Sequence, residues 1–379
     1  MPYVGGGYGS KSYTKIEPLT AALALRAGRP VRLALTIEES ILTTRGDAAT
    51  VKLRTAFTRD GRILGRQASI LLDTGAYAEN SPLVGRKAAN RLGGPYRIPA
   101  LEVTCSTVYT NTAPASSFRG FGAPQVTLAG ESQMDEAAER LGLDPLEIRR
   151  RNVLELRERP WPRVRGIDAD LAADLALAAT ELEWDTPIAP GRGRAICISA
   201  SDAGSEPMTT AIVRVHSDGS VTVTCGSTEM GQGSSTVLAQ MTAGEMGVDM
   251  ERVHLLQSDT AAVSYDRSTG ASRTTTLMGL GMAMREELVY EDGNLMNGNL
   301  FDYRVPRTTD LPELRSVIVE RGDGVGLYGA KGGGEGSLNP VAAAIANAAY
   351  RAAGIRLREA PFTPERVWAA LQERDAARR

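Results

Sequence analysis

The sequence predicts an α+β protein made of two related mixed domains. In the first half, alternating apolar and polar residues broken at Asp60-Gly61 mark a hairpin, and the same pattern broken at Asp218-Gly219 marks one in the second half. In each half a glycine-rich loop then leads into an apolar helix: residues 116–125 into a helix ending near Leu141, and residues 226–235 into a helix ending near Met246. This recurrence reads as a weak internal repeat. A length of 379 residues with 42% hydrophobic and 23% charged residues fits a globular chain of two or three domains.

Taken in order, a loop at residues 5–11 precedes a helix over 17–26, which Gly28 and Pro30 stop. Val31, Leu33 and Leu35 alternate as a strand would, and the hairpin follows with Val51, Leu53 and Phe57 on one arm and residues 63–72 on the other. Val103, Cys105, Thr107 and Tyr109 mark a further strand. After the helix ending near Leu141, Asp144-Pro145 caps and starts another that runs through Arg151. Residues 157–165, basic and carrying Pro160 and Pro162, read as a linker, and a helix is expected over 168–182. Strands are expected at 195–200, at 211–216 with 220–225, and at 253–257; the last helices are expected over 340–353 and from Pro364 to about Arg374. The expected division is a first domain over 1–156, a linker with a helix over 157–190, and a second domain over 191–379.

Bulk properties exclude several classes. A net charge of −2 gives no basic field for nucleic acid. No apolar run is long enough to span a bilayer, and residues 1–5 lack the features of a signal peptide, so the expectation is a cytoplasmic protein without membrane partners. Cys105, Cys197 and Cys225 are far apart and odd in number, which reads as buried thiols and neither a disulfide set nor a metal cluster. His216 and His254 have no ligand spacing, so no protein-ligated metal is expected.

The 40 glycines concentrate in loops shaped for close backbone approach. In Gly226-Ser227-Thr228-Glu229-Met230-Gly231-Gln232-Gly233-Ser234-Ser235, a strand ends and a helix begins, so unpartnered amides and the helix dipole favour an anionic group. The bland alternative is a tight strand-to-helix connection. Arg119, flanked by Phe118, Gly120 and Phe121, offers a fork of donors to phosphate or oxo groups, against the alternative of a surface arginine. Gly270 with Thr269, Ser272 and Thr274 offers amides and hydroxyls, with a helix N-cap at Ser272 as the compatible alternative. Glu335, between Gly334 and Gly336 just before a helix, is a candidate general base or a solvated loop glutamate. Loops of one kind in both halves point to a large anionic cofactor held where the two domains meet. Neither a dinucleotide-binding fingerprint nor a P-loop is matched, since residues 5–9 follow no strand.

The chain resembles the molybdenum-binding large subunit of the xanthine dehydrogenase and aldehyde oxidase family of molybdenum hydroxylases. The motifs that carry the resemblance are Gly5-Gly6-Gly7-Tyr8-Gly9-Ser10-Lys11, Phe118-Arg119-Gly120-Phe121-Gly122-Ala123-Pro124-Gln125, Glu229-Met230-Gly231-Gln232-Gly233, Gly270-Ala271-Ser272 and Lys331-Gly332-Gly333-Gly334-Glu335, in that order. The resemblance implies hydroxylation of an aldehyde or an electron-poor heterocycle with water as the oxygen source. It implies a molybdopterin with molybdenum, in the cytosine dinucleotide form, the metal being held by the pterin. Gly7, Tyr8, Gly9, Arg119, Gly231, Gln232, Gly233, Gly270, Ala271 and Ser272 would contact this cofactor, with Gln232 hydrogen-bonding the ligands of the metal. Glu335 would be the general base, and Ser12 and Phe121 would face the substrate. Electrons would leave through an iron–sulfur subunit to an FAD-binding subunit, because this chain has no cysteine set for a cluster.

The chain also departs from the family pattern. Ser12 stands where purine hydroxylases carry a glutamate, so a purine substrate is not implied, and Arg86 or Lys87 falls near their substrate arginine. Gly336 stands where a proline is usual. Family subunits start well before the first loop, and residues 274–282 join segments that normally lie far apart, so the chain reads as truncated at its N-terminus and shortened near Met278. A second functional class therefore stands beside the enzyme: a non-catalytic remnant or half-subunit that keeps the fold and a subunit interface.

Overall fold

The computed structural model describes residues 4–162, 164–201, 211–225, 228–256, 259, 261–262, 290–291, 294–296, 315–322, 331 and 333–378. Two three-stranded sheets of the same topology organise it. In the first, β2 (Ala48–Phe57) pairs antiparallel with β3 (Ile63–Gly75), and β3 pairs parallel with β4 (Leu101–Tyr109). In the second, β6 (Ala211–Val215) pairs antiparallel with β7 (Val221–Cys225), and β7 pairs parallel with β8 (Val253–Leu256). The internal repeat read from the hairpins thus has a counterpart in the sheet topology.

The period of two in each hairpin becomes the observed burial. Ala68, Ile70 and Leu72 of β3 face inward while Gln67, Ser69 and Leu71 face out. Gly61 turns the first hairpin at φ 85°, and a Cβ there would stand 2.5 Å from Leu143. Parallel neighbours need a long crossover. In the first half that crossover carries α3 (Ser81–Arg91), a helix the sequence reading did not anticipate; in the second it carries α7 (Ser234–Met246) and a 3-10 turn at Met250–Arg252. The structural counterpart of α7 is therefore α3, not the helix that follows residues 116–125.

That following helix is α4 (Ala123–Leu141), opened by Gly122 at φ 82° and closed by Gly142 at φ 66°. It is preceded by a short parallel pairing of β1 (Arg45–Gly46) with β5 (Ala115–Ser116). α5 (Pro145–Arg150) is capped by Asp144, whose carboxylate accepts from the amides of Leu146 and Glu147. α6 (Leu171–Glu181) is capped by Asp170. α1 (Glu17–Ala27) forms as expected, while α2 (Ile37–Thr43), with a Thr36–Glu39 capping box, was not anticipated. β9 (Tyr290–Glu291) and β10 (Asn294–Leu295) form a short antiparallel pair.

Two expected strands do not form. Residues 31–35 alternate in burial but have no ladder partner. Residues 195–200 lie along α4 and spend an amide on a side chain, Ile198 N–H donating to Glu131 at 3.1 Å. Residues 157–162, expected in the linker, form neither helix nor strand.

Of the C-terminal helices α8 (Val341–Ala353) and α9 (Pro364–Ala377), α8 packs on α4 and α9 joins the same core, so that layer is built from distant parts of the chain. Ala346, Ile355, Leu357 and Phe362 enclose a core that Leu128 of α4 joins. A buried polar cluster fixes the join. Arg149 donates to Glu131 at 2.8 Å and to Asp135 at 2.7 Å, Tyr96 donates to Glu131 at 2.5 Å, and Asn347 of α8 donates to the Glu131 carbonyl at 3.1 Å.

Candidate functional site

Two helix N-termini lie side by side as a consequence of that packing. α4 starts at Ala123, just after residues 117–122, and α8 starts at Val341, just after residues 333–340. Arg119 links the two loops. It is 3% exposed, and its Nε and Nη2 both donate to the Gly334 carbonyl, Nε at 2.6 Å. The arginine expected to meet a ligand's oxygens thus builds the wall of the site. Its guanidinium also stands 5.9 Å from the Tyr8 ring, which draws in the first loop.

Glu335 follows Gly334 directly, and its side chain is only 12% exposed. Arg91, the last residue of α3, lies 3.8 Å from the Glu335 carboxylate and donates to the carbonyls of Gly120 at 2.7 Å and Phe121 at 3.3 Å. Lys87, one turn earlier on α3, is half-buried and Arg86 is exposed. Sequence reading stopped at Arg86 and Lys87; with α3 not expected as a helix, the i, i+4 relation of Lys87 to Arg91 gave no signal.

Residues 5–9 reach both halves. Gly6 N–H donates to the Met230 carbonyl at 2.8 Å, and a Cβ on Gly7 would stand 3.0 Å from the Met230 sulfur. A Cβ on Gly9, at φ 113°, would fall 2.1 Å from the Ser117 carbonyl oxygen, so only glycine lets these loops touch. Tyr8 has φ 50° and is half exposed. Asn80, whose Nδ2 donates to Ser117 Oγ, accepts from the Tyr13 hydroxyl at 3.0 Å. Ser12 is exposed, and its amide donates to the Gly9 carbonyl at 3.2 Å. Phe121 packs partly against the core beneath α3.

The start of α7 differs from expectation in an instructive way. The anion at its N-terminus is the chain's own Glu229. Its carboxylate accepts from the amides of Gly231 at 2.8 Å, Gly233 at 2.9 Å and Ser235 at 3.0 Å, and from the Ser234 hydroxyl at 3.0 Å. Partial burial raises its pKa, but the Ser235, Gly233 and Gly231 amides and the Ser234 hydroxyl outweigh that and bring it to about 2. Gln232 is turned into the same loop: its Oε1 accepts from Met230 N–H at 2.6 Å and its Nε2 donates to the Thr228 carbonyl and to Ser234 Oγ. Gly231 at φ 106° and Gly233 at φ 77° permit this turn. Gly270, Ala271 and Ser272 lie outside the described residues.

Around this convergence there is room and unmet polarity. Gly5, Gly333 and Gly336 have open space where a Cβ would stand, and the nearest atom to such a Cβ on Gly231 is 3.9 Å away. Asn339, fully buried between the Glu335 loop and Gly120, has no hydrogen-bond partner among the described residues for either of its amide atoms. Sequence reading did not single it out. Two helix starts, glycine walls and a buried amide without a partner among the described residues fit a polar ligand with electron-rich groups.

Comparison with known proteins agrees. Residues 1–153 match a molybdopterin cofactor-binding domain, and a second such domain is matched by residues 176–279 and 276–312. The putative xanthine dehydrogenase molybdenum-binding subunit of Escherichia coli is 27% identical over 97% of this chain and 68% of its own length. The nicotine 6-hydroxylase large subunit of Paenarthrobacter nicotinovorans is 30% identical over 79% of this chain and 41% of its own length. The fold is shared with quinoline 2-oxidoreductase from Pseudomonas putida, at a TM-score of 0.84, 22% identity and coverage of 98% of this chain and 68% of the other. It is also shared with the aldehyde oxidoreductase of Desulfovibrio desulfuricans, at a TM-score of 0.83, 23% identity and coverage of 97% and 54%. The Escherichia coli alignment runs over 513 positions, more than the 379 residues of this chain, and the two stretches that match the second domain meet at 276–279.

Proposed function

Since this chain belongs to the xanthine dehydrogenase and aldehyde oxidase family of molybdenum hydroxylase large subunits, we propose that its loops hold molybdopterin and that Glu335 is the general base of a hydroxylation. The observation that carries the reading is the placement of the Glu335 carboxylate, nearly buried beside Arg91 on a loop that Arg119 of the first half holds. Gly7, Tyr8 and Gly9, Arg119, and Gly231, Gln232 and Gly233 supply the walls, and Gly270, Ala271 and Ser272 are assigned to the cofactor from the motif. When bound, molybdopterin with molybdenum supplies the two-electron redox chemistry that lets water serve as the oxygen source.

The chain's own residues have separable tasks. Glu335 accepts a proton at its carboxylate while the oxygen is delivered to an aldehyde or electron-poor heterocycle. Arg119 fixes the backbone beneath Glu335 through the Gly334 carbonyl. Gln232, whose Nε2 donates to the Thr228 carbonyl and Ser234 Oγ, would be the residue that hydrogen-bonds the metal's ligands. Ser12 and Phe121 stand on the substrate side, and Ser12 in place of a glutamate disfavours a purine. The cofactor is assigned the cytosine dinucleotide form, and the electrons pass to iron–sulfur and FAD-binding partner chains in the cytoplasm. Among the described residues, no helix is long and apolar enough to cross a membrane.

A second reading, a non-catalytic remnant or half-subunit, is favoured by one observation: the stretches matching the second domain meet at 276–279 while the alignment to a relative needs 513 positions. We assign this to internal shortening near 278–281. Metal and pterin content of the chain, made in a host that synthesises the cofactor, decides between the readings. Near one molybdenum per chain supports the enzyme; Glu335→Gln then keeps the metal and lowers turnover by about 10²–10⁴-fold or more. A folded chain that takes up no metal overturns the enzyme reading for this chain alone.

A further inference from the structure

Glu335 is held from two directions. Its backbone is anchored by Arg119, which donates to the carbonyl of the preceding residue at 2.6 Å. Its carboxylate faces Arg91, 3.8 Å away, with the two side chains 9% and 12% exposed. Arg91 is itself fixed. Its Nη1 donates to the carbonyls of Gly120 and Phe121, in a loop where Gly120, Phe121 and Gly122 have φ of 89°, 49° and 82°. Three successive residues in this sparsely used region turn carbonyls toward the end of α3. A guanidinium has donors enough to bind them and still present charge to Glu335.

We propose that Arg91 is the positioning residue of the general base, aiming the Glu335 carboxylate and holding it in its ionised, proton-accepting form. This rests on the reading of Glu335 as the base. The separation of 3.8 Å exceeds a hydrogen bond, so the contact acts through charge. At low exposure such a charge acts with little screening. Charged groups placed around Glu335 include Arg91 from α3, with half-buried Lys87 one turn before it, and Arg119 from the loop before α4, with the Tyr8 ring beyond Arg119; Lys331 on its own loop donates to the Asp168 carbonyl at 2.5 Å.

The pH dependence of kcat/KM in the cofactor-loaded protein tests this. A cation within about 4–6 Å lowers a carboxyl pKa by about 1–3 units. Arg91→Met therefore moves the acid limb up by about 1–3 pH units, whereas Arg91→Lys, which keeps the charge, moves it by less than about 1 unit. A limb that stays put in Arg91→Met, with turnover lowered by one factor at every pH, overturns the proposal and leaves Arg91 as a loop support. A second measurement needs no cofactor. In thermal unfolding of the cofactor-free chain, Arg91→Met and Glu335→Gln together lower the midpoint by less than the sum of the two single changes; strict additivity overturns the pairing. If Glu335→Gln retains full turnover while the unfolding cycle still shows coupling, the base assignment fails and the pairing stands.

Discussion

The two sheets share one strand order and differ in how much they bury. The first has strands of 10, 13 and 9 residues, covered by α3 and α4, with Ile70, Leu72, Val84, Ala88 and Leu92 closed off from water. The second has strands of 5, 5 and 4 residues, and among the described residues its buried core is Val221, Val223, Val253 and two alanines of α7, Ala239 and Ala243. Ile212, Val213 and Val215 of β6 are each about half exposed. Among the described residues the same topology therefore gives a deeply packed platform in one half and a lighter frame in the other. Their contributions to the site follow suit. The first half delivers Arg91 from the end of its crossover helix, on a helix face locked by the core. The second half delivers Met230 and Gln232 from the loop that starts its crossover helix, and that loop is held by local polar bonds.

The comparison is broken most forcefully at the polar cluster of the platform. Arg149 is fully buried and neutralises Glu131 and Asp135, which are 2% and 4% exposed. Arg149→Met strands two carboxylates in the interior and costs about 3–5 kcal/mol. The loss should appear in thermal unfolding as release of α8 from α4 together with the first sheet, because Asn347 binds the Glu131 carbonyl. A cost near zero would mean that the cluster does not hold the platform to the C-terminal helices.

A matched pair of core truncations sharpens the contrast between the sheets. Leu72→Ala, at a residue with no exposure, removes a large side chain that the α3 core cannot replace and costs about 2–5 kcal/mol. Val221→Ala, equally buried, removes less and sits in a core of small residues, so about 1.5 kcal/mol is expected from area alone. Amide exchange followed separately on β3 and β7 would localise each loss. Equal costs would show that the second core is as well supported as the first.

These differences also mark what could be read from the residues alone. Both hairpins were legible because a period of two meets an Asp-Gly turn, and the main helices because apolar runs follow glycine-rich loops or, at Asp144-Pro145, an explicit cap. The helix α3 was not. It carries Pro82, Gly85 and three basic residues among eleven, and what requires it is the parallel pairing of β3 with β4, a long-range fact. Residues 31–35 and 195–200 alternate as strands do but lack a partner strand, and pairing cannot be read from one segment. Of the site, the glycine loops and Glu335 were legible from local composition. Arg91 was not, since its place beside Glu335 depends on the packing of α3, α4 and α8 together. Asn339 carried no local signal at all.

Glu229, which had no role assigned from the sequence, yields the smallest effect. The glycine-rich start of α7 reads as a site for an anion, and in the structure a carboxylate of the same motif accepts from its amides, reaching residues two, four and six positions on. This is how the lighter half fixes its contribution without a deep core. Its carboxyl is depressed from 4.5 to about 2, so the stability it gives is present above about pH 4.5 and fades as pH falls toward and through 2. Glu229→Gln should therefore cost on the order of 1 kcal/mol at neutral pH, a modest figure because the loop is partly open to water. The difference from the parent protein should hold level from pH 6 to about 5 and shrink as pH falls from about 4.5 to 3. A cost that does not change over that range would show that the carboxylate charge is irrelevant and that shape alone holds the loop. A cost that changes as expected, with Met230 still meeting Gly6, would place the order of this loop in four polar bonds, in contrast to the packing that fixes Arg91.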